Sequence, residues 1–116
     1  MQPCKEKERL EVCLTRRHAG LCGVFASPRR LEILLELGEG ERTVGQLGEA
    51  LGMAIPNLSQ HLRVMRDQAA VRMRKDGRNV YYRVANPKFL RAIRLVREGL
   101  MEEIELQHAA VREQGE

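Results

Sequence analysis

The chain has 116 residues, 43% hydrophobic, 3% aromatic and without tryptophan, with a formal net charge of +4. That length suits one compact domain and excludes two ordinary ones, and no apolar run approaches the roughly 18 to 20 residues that span a bilayer. The opening Met1-Gln-Pro-Cys-Lys5 lacks the apolar stretch of a secretory signal, so a cytoplasmic location without membrane attachment is expected. With so few aromatic residues the core must be Leu, Val, Ile and Met, which points to a mainly helical protein.

In chain order, the spacing of Leu10, Leu14, Leu21 and Phe25 predicts a first helix from about Lys5 to Phe25. Ser27-Pro28 is an N-cap and first-turn pair opening a second helix, apolar at Leu31, Leu34, Leu35 and Leu37 and stopped at Gly38 and Gly40. Thr43-Val-Gly-Gln46 fits a capping box for a third helix whose inner face is Val44, Leu47 and Leu51. Gly52 closes it, and a fourth helix follows from Ile55 to Asp67 with Leu58, Leu62 and Met65 inward. Two short helices joined through a Gly turn are a helix-turn-helix.

From Val71 to Val84 the period changes to two: Val80, Tyr82 and Val84 share one face, Asn79, Tyr81 and Arg83 the other. Asp76-Gly77 at the centre favours a hairpin with a type I′ turn. Asn86-Pro87 then caps a last helix to about Ala110, with a stripe at Phe89, Ile93, Val96, Leu100 and Ile104. The predicted order is four helices, two strands and a helix: a mainly α winged helix-turn-helix with the hairpin as wing. So small a domain offers that last stripe no partner, so the first and last helices are expected to pack against their copies in a homodimer. The single domain divides into an arm and dimerisation helix over 1–26, a DNA-binding core over 27–84 and a second dimerisation helix over 86–110.

The charge is unevenly placed. Residues 57–83 hold seven Arg/Lys against two Asp, a net of +5, while the remaining thirteen basic and fourteen acidic residues give −1. Such a block is the footprint of a polyanion-binding surface. On the fourth helix Asn57, Ser59, Gln60 and Arg63 lie on or beside the side opposite the apolar residues. Asn and Gln can pair bidentately with adenine, Ser with a base edge or phosphate, Arg with guanine or phosphate. Arg72, Arg74, Lys75 and Arg78, expected around the tip of the hairpin, suit phosphates or the minor groove. An ordinary solvated hairpin is the plainer reading of those four, and the neighbouring helix-turn-helix argues against it.

In Phe25-Ala-Ser-Pro-Arg-Arg-Leu-Glu-Ile-Leu34, Pro56-Asn-Leu-Ser-Gln-His-Leu-Arg-Val-Met-Arg66 and Gly77-Arg-Asn-Val-Tyr-Tyr82 the chain resembles the ArsR/SmtB family of small winged-helix repressors, over about residues 20–100. The resemblance implies a homodimer that binds double-stranded DNA at an inverted repeat and lets go when an effector binds, with Asn57, Ser59, Gln60 and Arg63 at the DNA. It puts His61 at the family's usual histidine, though its place at the edge of the inner face suits packing or an interhelical hydrogen bond better than base contact. Ala69 stands where such repressors usually have Gly, and at positive φ it would cost on the order of 1 kcal/mol.

The family's Cys-x-Cys metal site is absent from Thr43-Val-Gly-Gln-Leu47, and its zinc ligands are absent from Lys88-Phe-Leu-Arg-Ala-Ile93. Cys4, Cys13 and Cys22 remain, spaced nine apart. On one continuous helix neighbours would point to opposite sides, so a local chelate needs a bend, a flexible arm that folds back, or a second subunit. An odd count of cysteines argues against a disulfide framework. The open alternatives are a site for As(III) or a soft metal ion, a thiol oxidised as a signal, or buried structural thiols. His18 and Cys22 at i, i+4 suit a shared ion or simple packing, and His108 with Glu102, Glu103 and Glu105 reads best as a charged helix end. No cofactor is required.

No nucleophile and base pair, phosphate loop or paired carboxylates appear at usable spacing, so an enzyme is not expected. The rival to a repressor is a winged helix used only for protein interaction or dimerisation, which would have no need of a basic wing beside an Asn/Ser/Gln-bearing helix.

Overall fold

The computed structural model describes residues 3–7 and 9–115. In chain order they form α1 (Leu10–Phe25), α2 (Pro28–Leu37), β1 (Arg42–Thr43), α3 (Val44–Leu51), α4 (Ile55–Asp67), β2 (Val71–Asp76), β3 (Asn79–Val84) and α5 (Pro87–Gly115). The expected order holds with one addition, β1, which pairs Arg42 with Tyr82 and Thr43 with Tyr81 to make a three-stranded antiparallel sheet in the order β1-β3-β2. Two residues carry no periodicity, so only the tertiary pairing reveals this strand.

The helix starts follow local chemistry. The Ser27 hydroxyl accepts from the Arg30 N–H at 3.4 Å with Pro28 in the first turn. The Thr43 hydroxyl accepts from the Gln46 N–H at 3.1 Å while the Gln46 side chain accepts from the Thr43 N–H at 2.9 Å. Two otherwise orphan donors are thereby satisfied where β1 becomes α3. Gly52 closes α3 in the left-handed conformation, φ 62°. Gly48, buried, lets α4 close in: a Cβ there would meet the Ile55 side chain and the Met53 carbonyl at 3.1 Å.

The end of α4 is a Schellman turn. The Ala70 N–H reaches the Met65 carbonyl at 2.8 Å and the Ala69 N–H the Arg66 carbonyl at 3.0 Å, with Ala69 at φ 58°. The strain anticipated for an alanine at this position is therefore present, and the turn keeps its shape despite it.

One core lies between α2, α3, α4, the sheet and the start of α5. Ile33, Leu34, Leu47, Leu58, Leu62, Met65 and Val71 are almost wholly buried, with Leu90 and Ile93 closing it from α5. Leu31, Leu35, Val44 and Leu51, expected inside, are half-buried around this centre, and Ile33 takes the middle instead.

The outer helices depart from expectation at their ends. α1 starts at Leu10, not Lys5, because Cys4 is disulfide-bonded to Cys13 with their Cα atoms 5.6 Å apart. Nine helical residues would separate them by about 13.5 Å, so the arm must double back, through a turn at Glu6 and Lys7. α5 continues to Gly115, past Ala110, and its second half leaves the domain. The radius of gyration is 17.7 Å and the longest extent 61 Å, against about 13 Å expected for a compact chain of this size. Val96, Leu100 and Ile104 on α5 and Leu10 and Leu14 on α1 are exposed. Among the described residues no helix is long and apolar enough to cross a membrane.

Candidate nucleic-acid interface

Leu58, Leu62 and Met65 anchor α4 in the core, and this one-sided burial presents its other side to solvent. Asn57, Ser59, Gln60 and Arg63 are all exposed there, while His61 is half-buried at the edge of the packed face. The helix begins with Pro56 in its first turn and carries Arg66 near its end, whose guanidinium donates to the Met73 sulfur at 3.0 Å and ties α4 to β2. Arg66 was not singled out from sequence: its value is as a strut, visible only once β2 is beside α4.

The hairpin register runs from Val71 opposite Val84 to Asp76 opposite Asn79, leaving Gly77-Arg78 as the two-residue loop. Gly77 has φ 61°, while no positive φ occurs at Arg78. That is the type II′ pattern, with glycine at the first central position, rather than the type I′ turn expected from Asp76-Gly77. Placing Gly77 first in the loop costs no steric strain and retains the right-handed twist of the strands.

The four basic side chains do not ring the tip. Arg78 is in the loop, and Lys75, opposite Val80, belongs to the alternation that carries Val71 and Met73. Arg72 and Arg74 share the other face with their cross-strand partners Arg83 and Tyr81. Arg72, Lys75 and Arg78 are exposed. Arg74 is held by Glu41, in the connection before β1, through two hydrogen bonds of 2.8 and 3.0 Å. Its guanidinium also lies 4.4 Å from the Tyr81 ring centroid and 3.7 Å from Asp76. The hydrogen bond from Arg74 holds the Glu41 carboxyl below its ordinary pKa, and the same bond raises that of Arg74. Arg83, not selected from sequence, contributes to the field at Glu41; its period-two match to Arg72 was the available signal.

At the other end, Cys4 and Cys13 are joined as a disulfide and Cys22 is exposed with a free thiol, so the expectation of three thiols without a disulfide is corrected. Cys13 and Cys22 lie on one unbroken helix, about 13.5 Å apart along its axis, which keeps their sulfurs from a common ligand within one chain. Among the described residues no group of three His, Cys, Asp or Glu side chains is arranged to hold a metal ion. All three cysteines line a groove of about 690 Å³ between α1 and α5, walled by Leu14, Leu21, Phe89 and Val96.

The sequence pattern described as the bacterial regulatory protein, arsR family, matches residues 27–69, from the cap of α2 to the strained Ala69. A biofilm growth-associated repressor of Agrobacterium fabrum is 35% identical over 91 residues, 78% of this chain and 73% of that protein. The chain belongs to the ArsR family. Another relative, the HTH-type transcriptional repressor SmtB of Mycobacterium tuberculosis, is 38% identical over 57% of this chain, a stretch spanning 49% of its own length. Among solved structures, a winged helix-turn-helix DNA-binding domain from Mycobacterium bovis, described as homodimeric, superposes with a TM-score of 0.77 at 29% identity, covering 88% of this chain and 94% of that one. HlyU from Vibrio cholerae gives 0.68 at 30% identity, covering 81% and 96%. As an ArsR-family member the chain is a winged helix-turn-helix transcriptional repressor, and the family's members are regulators rather than enzymes.

Proposed function

We propose that this ArsR-family chain acts as a homodimer on an inverted-repeat operator, reading bases with Asn57, Ser59, Gln60 and Arg63 and contacting phosphates from its basic wing. The observation that carries the reading is α4, seated in the core by three buried side chains while its polar side is left wholly to solvent. Such a helix suits the major groove, and amide side chains there recognise adenine. The exposed apolar residues of α1 and α5 support pairing with a second copy, and a two-fold dimer matches a palindromic site.

The release signal is assigned to Cys4 and Cys13. In the cytoplasm, where such a repressor meets its DNA, disulfides are mostly transient or sensing. Oxidation by a peroxide balances as two thiols and one hydrogen peroxide giving one disulfide and two waters. A soft ion such as As(III) would use the same two sulfurs in their reduced state, as thiolates. The test is to bind reduced protein to its own upstream DNA and add peroxide, As(III), zinc, cadmium and copper(I) in turn. Release by one of them, lost in Cys4→Ser, supports the thiol switch; release that persists in Cys4→Ser removes it. Gln60→Ala is expected to change which operator is preferred. Failure of the unmodified protein to bind any duplex would leave the dimerisation-module reading in its place.

A further inference from the structure

We infer that the outer face of the hairpin is a phosphate clamp formed by Arg72 and Arg83, with Arg74 holding it in position and not touching DNA. The inference rests on the DNA-binding reading above and assigns which wing side chains do which work.

Arg72 and Arg83 are directly opposite each other on adjacent antiparallel strands, and both are exposed. Opposed side chains stand about 5 Å apart at Cβ, and like charges there are destabilising unless an anion lies between them. The neighbouring carboxylate does not fill that role. Glu41 spends both oxygens on Arg74, at 2.8 and 3.0 Å, and reaches Arg83 only through space. Asp76, the acid of the hairpin itself, also turns to Arg74, at 3.7 Å. Three guanidiniums thus share this face with Glu41 and Asp76, and both carboxylates are committed to Arg74.

Arg74 is consequently the poorest phosphate ligand of the three. The Nε and Nη2 edge of its fork is taken by a carboxylate of the same planar geometry a phosphate would offer, and Tyr81 lies against its flat side. What the pair does is join the α2–β1 connection, which leads directly into the cap of α3, to the wing, 33 residues later. The wing is thereby fixed relative to the helix-turn-helix. Arg72 and Arg83, two residues along each strand from that anchor, point two free forks in one direction, a geometry that suits bidentate capture of one backbone phosphate beside the site read by α4.

The experiment is operator affinity against salt for the full chain, by fluorescence anisotropy. Each neutralised phosphate contributes about 0.9 to the slope of log K against log salt. Arg72→Gln and Arg83→Gln are each expected to lower the slope by part of the about 0.9 that one phosphate contributes and the affinity about tenfold, with the preference between operators unchanged. The double variant should lose about 0.9 in all, and no more, because both hold the same phosphate. Arg83→Lys, which keeps the charge and loses the fork, should fall between wild type and Arg83→Gln. Arg74→Gln should leave the slope near the wild-type value. A wild-type slope in Arg83→Gln, or a loss in Arg74→Gln equal to that in Arg83→Gln, overturns the assignment. If Gln60→Ala alters operator preference in the same series, the DNA-binding reading survives that failure. An unmodified chain whose binding shows no salt dependence overturns both.

Discussion

The segment from α2 to β3 and the pair α1 and α5 obey different rules. In the first, apolar residues are buried: Leu34, Leu47, Leu58 and Met65 have no accessible surface, and polar residues face out. In the second, Leu10 is 79% exposed and Leu100 55%, although both belong to apolar stripes at helical spacing. The difference teaches that an apolar stripe specifies a contact without saying with whom. The central segment satisfies its stripes within the chain; the outer helices leave theirs exposed, and in the proposed dimer a second copy covers them.

Substitutions should separate these regions, beginning with the largest effect. Leu62→Ala, in the centre of the core, is expected to cost about 3 kcal/mol, read by denaturant unfolding, and to abolish DNA binding through loss of fold. An equal loss from Leu100→Ala would erase the distinction between regions. Leu100→Glu should instead leave the helical signal of the domain intact and weaken self-association at least about tenfold in sedimentation, because a carboxylate would be buried without a partner in the dimer.

Ala69→Gly should stabilise the protein by about 1 kcal/mol, since glycine occupies φ 58° without the Cβ clash and the turn's hydrogen bonds need no change. Thermal melts of the two variants side by side would show it, and an unchanged or lowered midpoint would mean that Ala69 is not strained there. The smallest effect concerns Glu41. Its pKa is lowered in the folded state, so its contribution is fully present above the ordinary carboxylate value of 4.5 and is lost as pH falls through the lower folded value. The stability difference between wild type and Glu41→Gln should therefore be constant at neutral pH and shrink below about pH 4.5. A difference that persists unchanged into stronger acid would separate this pair from the wing's stability.

Much of this was legible in the chain. The capping box at Thr43, the Ser27-Pro28 start, the Gly52 turn and the bounds of α4 are local devices, and each appears where its residues predict. The exposed polar face of α4 followed from one helical period, because burial of Leu58, Leu62 and Met65 dictates what is left outside. The wing was half legible: period two put Tyr81 with Arg83 but could not show that Glu41, distant in sequence, takes Arg74 out of the set of free cations. Nor could it place Gly77 first rather than second in the turn, which depends on the cross-strand register.

Sequence by itself thus determined the helices, the hairpin, the polar face of α4 and the basic block, all properties of residues within a few positions of one another. The tertiary structure alone decided β1, the folding back of Cys4 onto Cys13, the left-handed Ala69 within an intact turn and the division of the three arginines on the wing's outer face into one anchored side chain and two free ones. The physical reason is range: periodicity and capping act over a turn of helix or a pair of strand residues, whereas an ion pair 33 residues apart or a strand of two residues exists only once the chain has closed around its core.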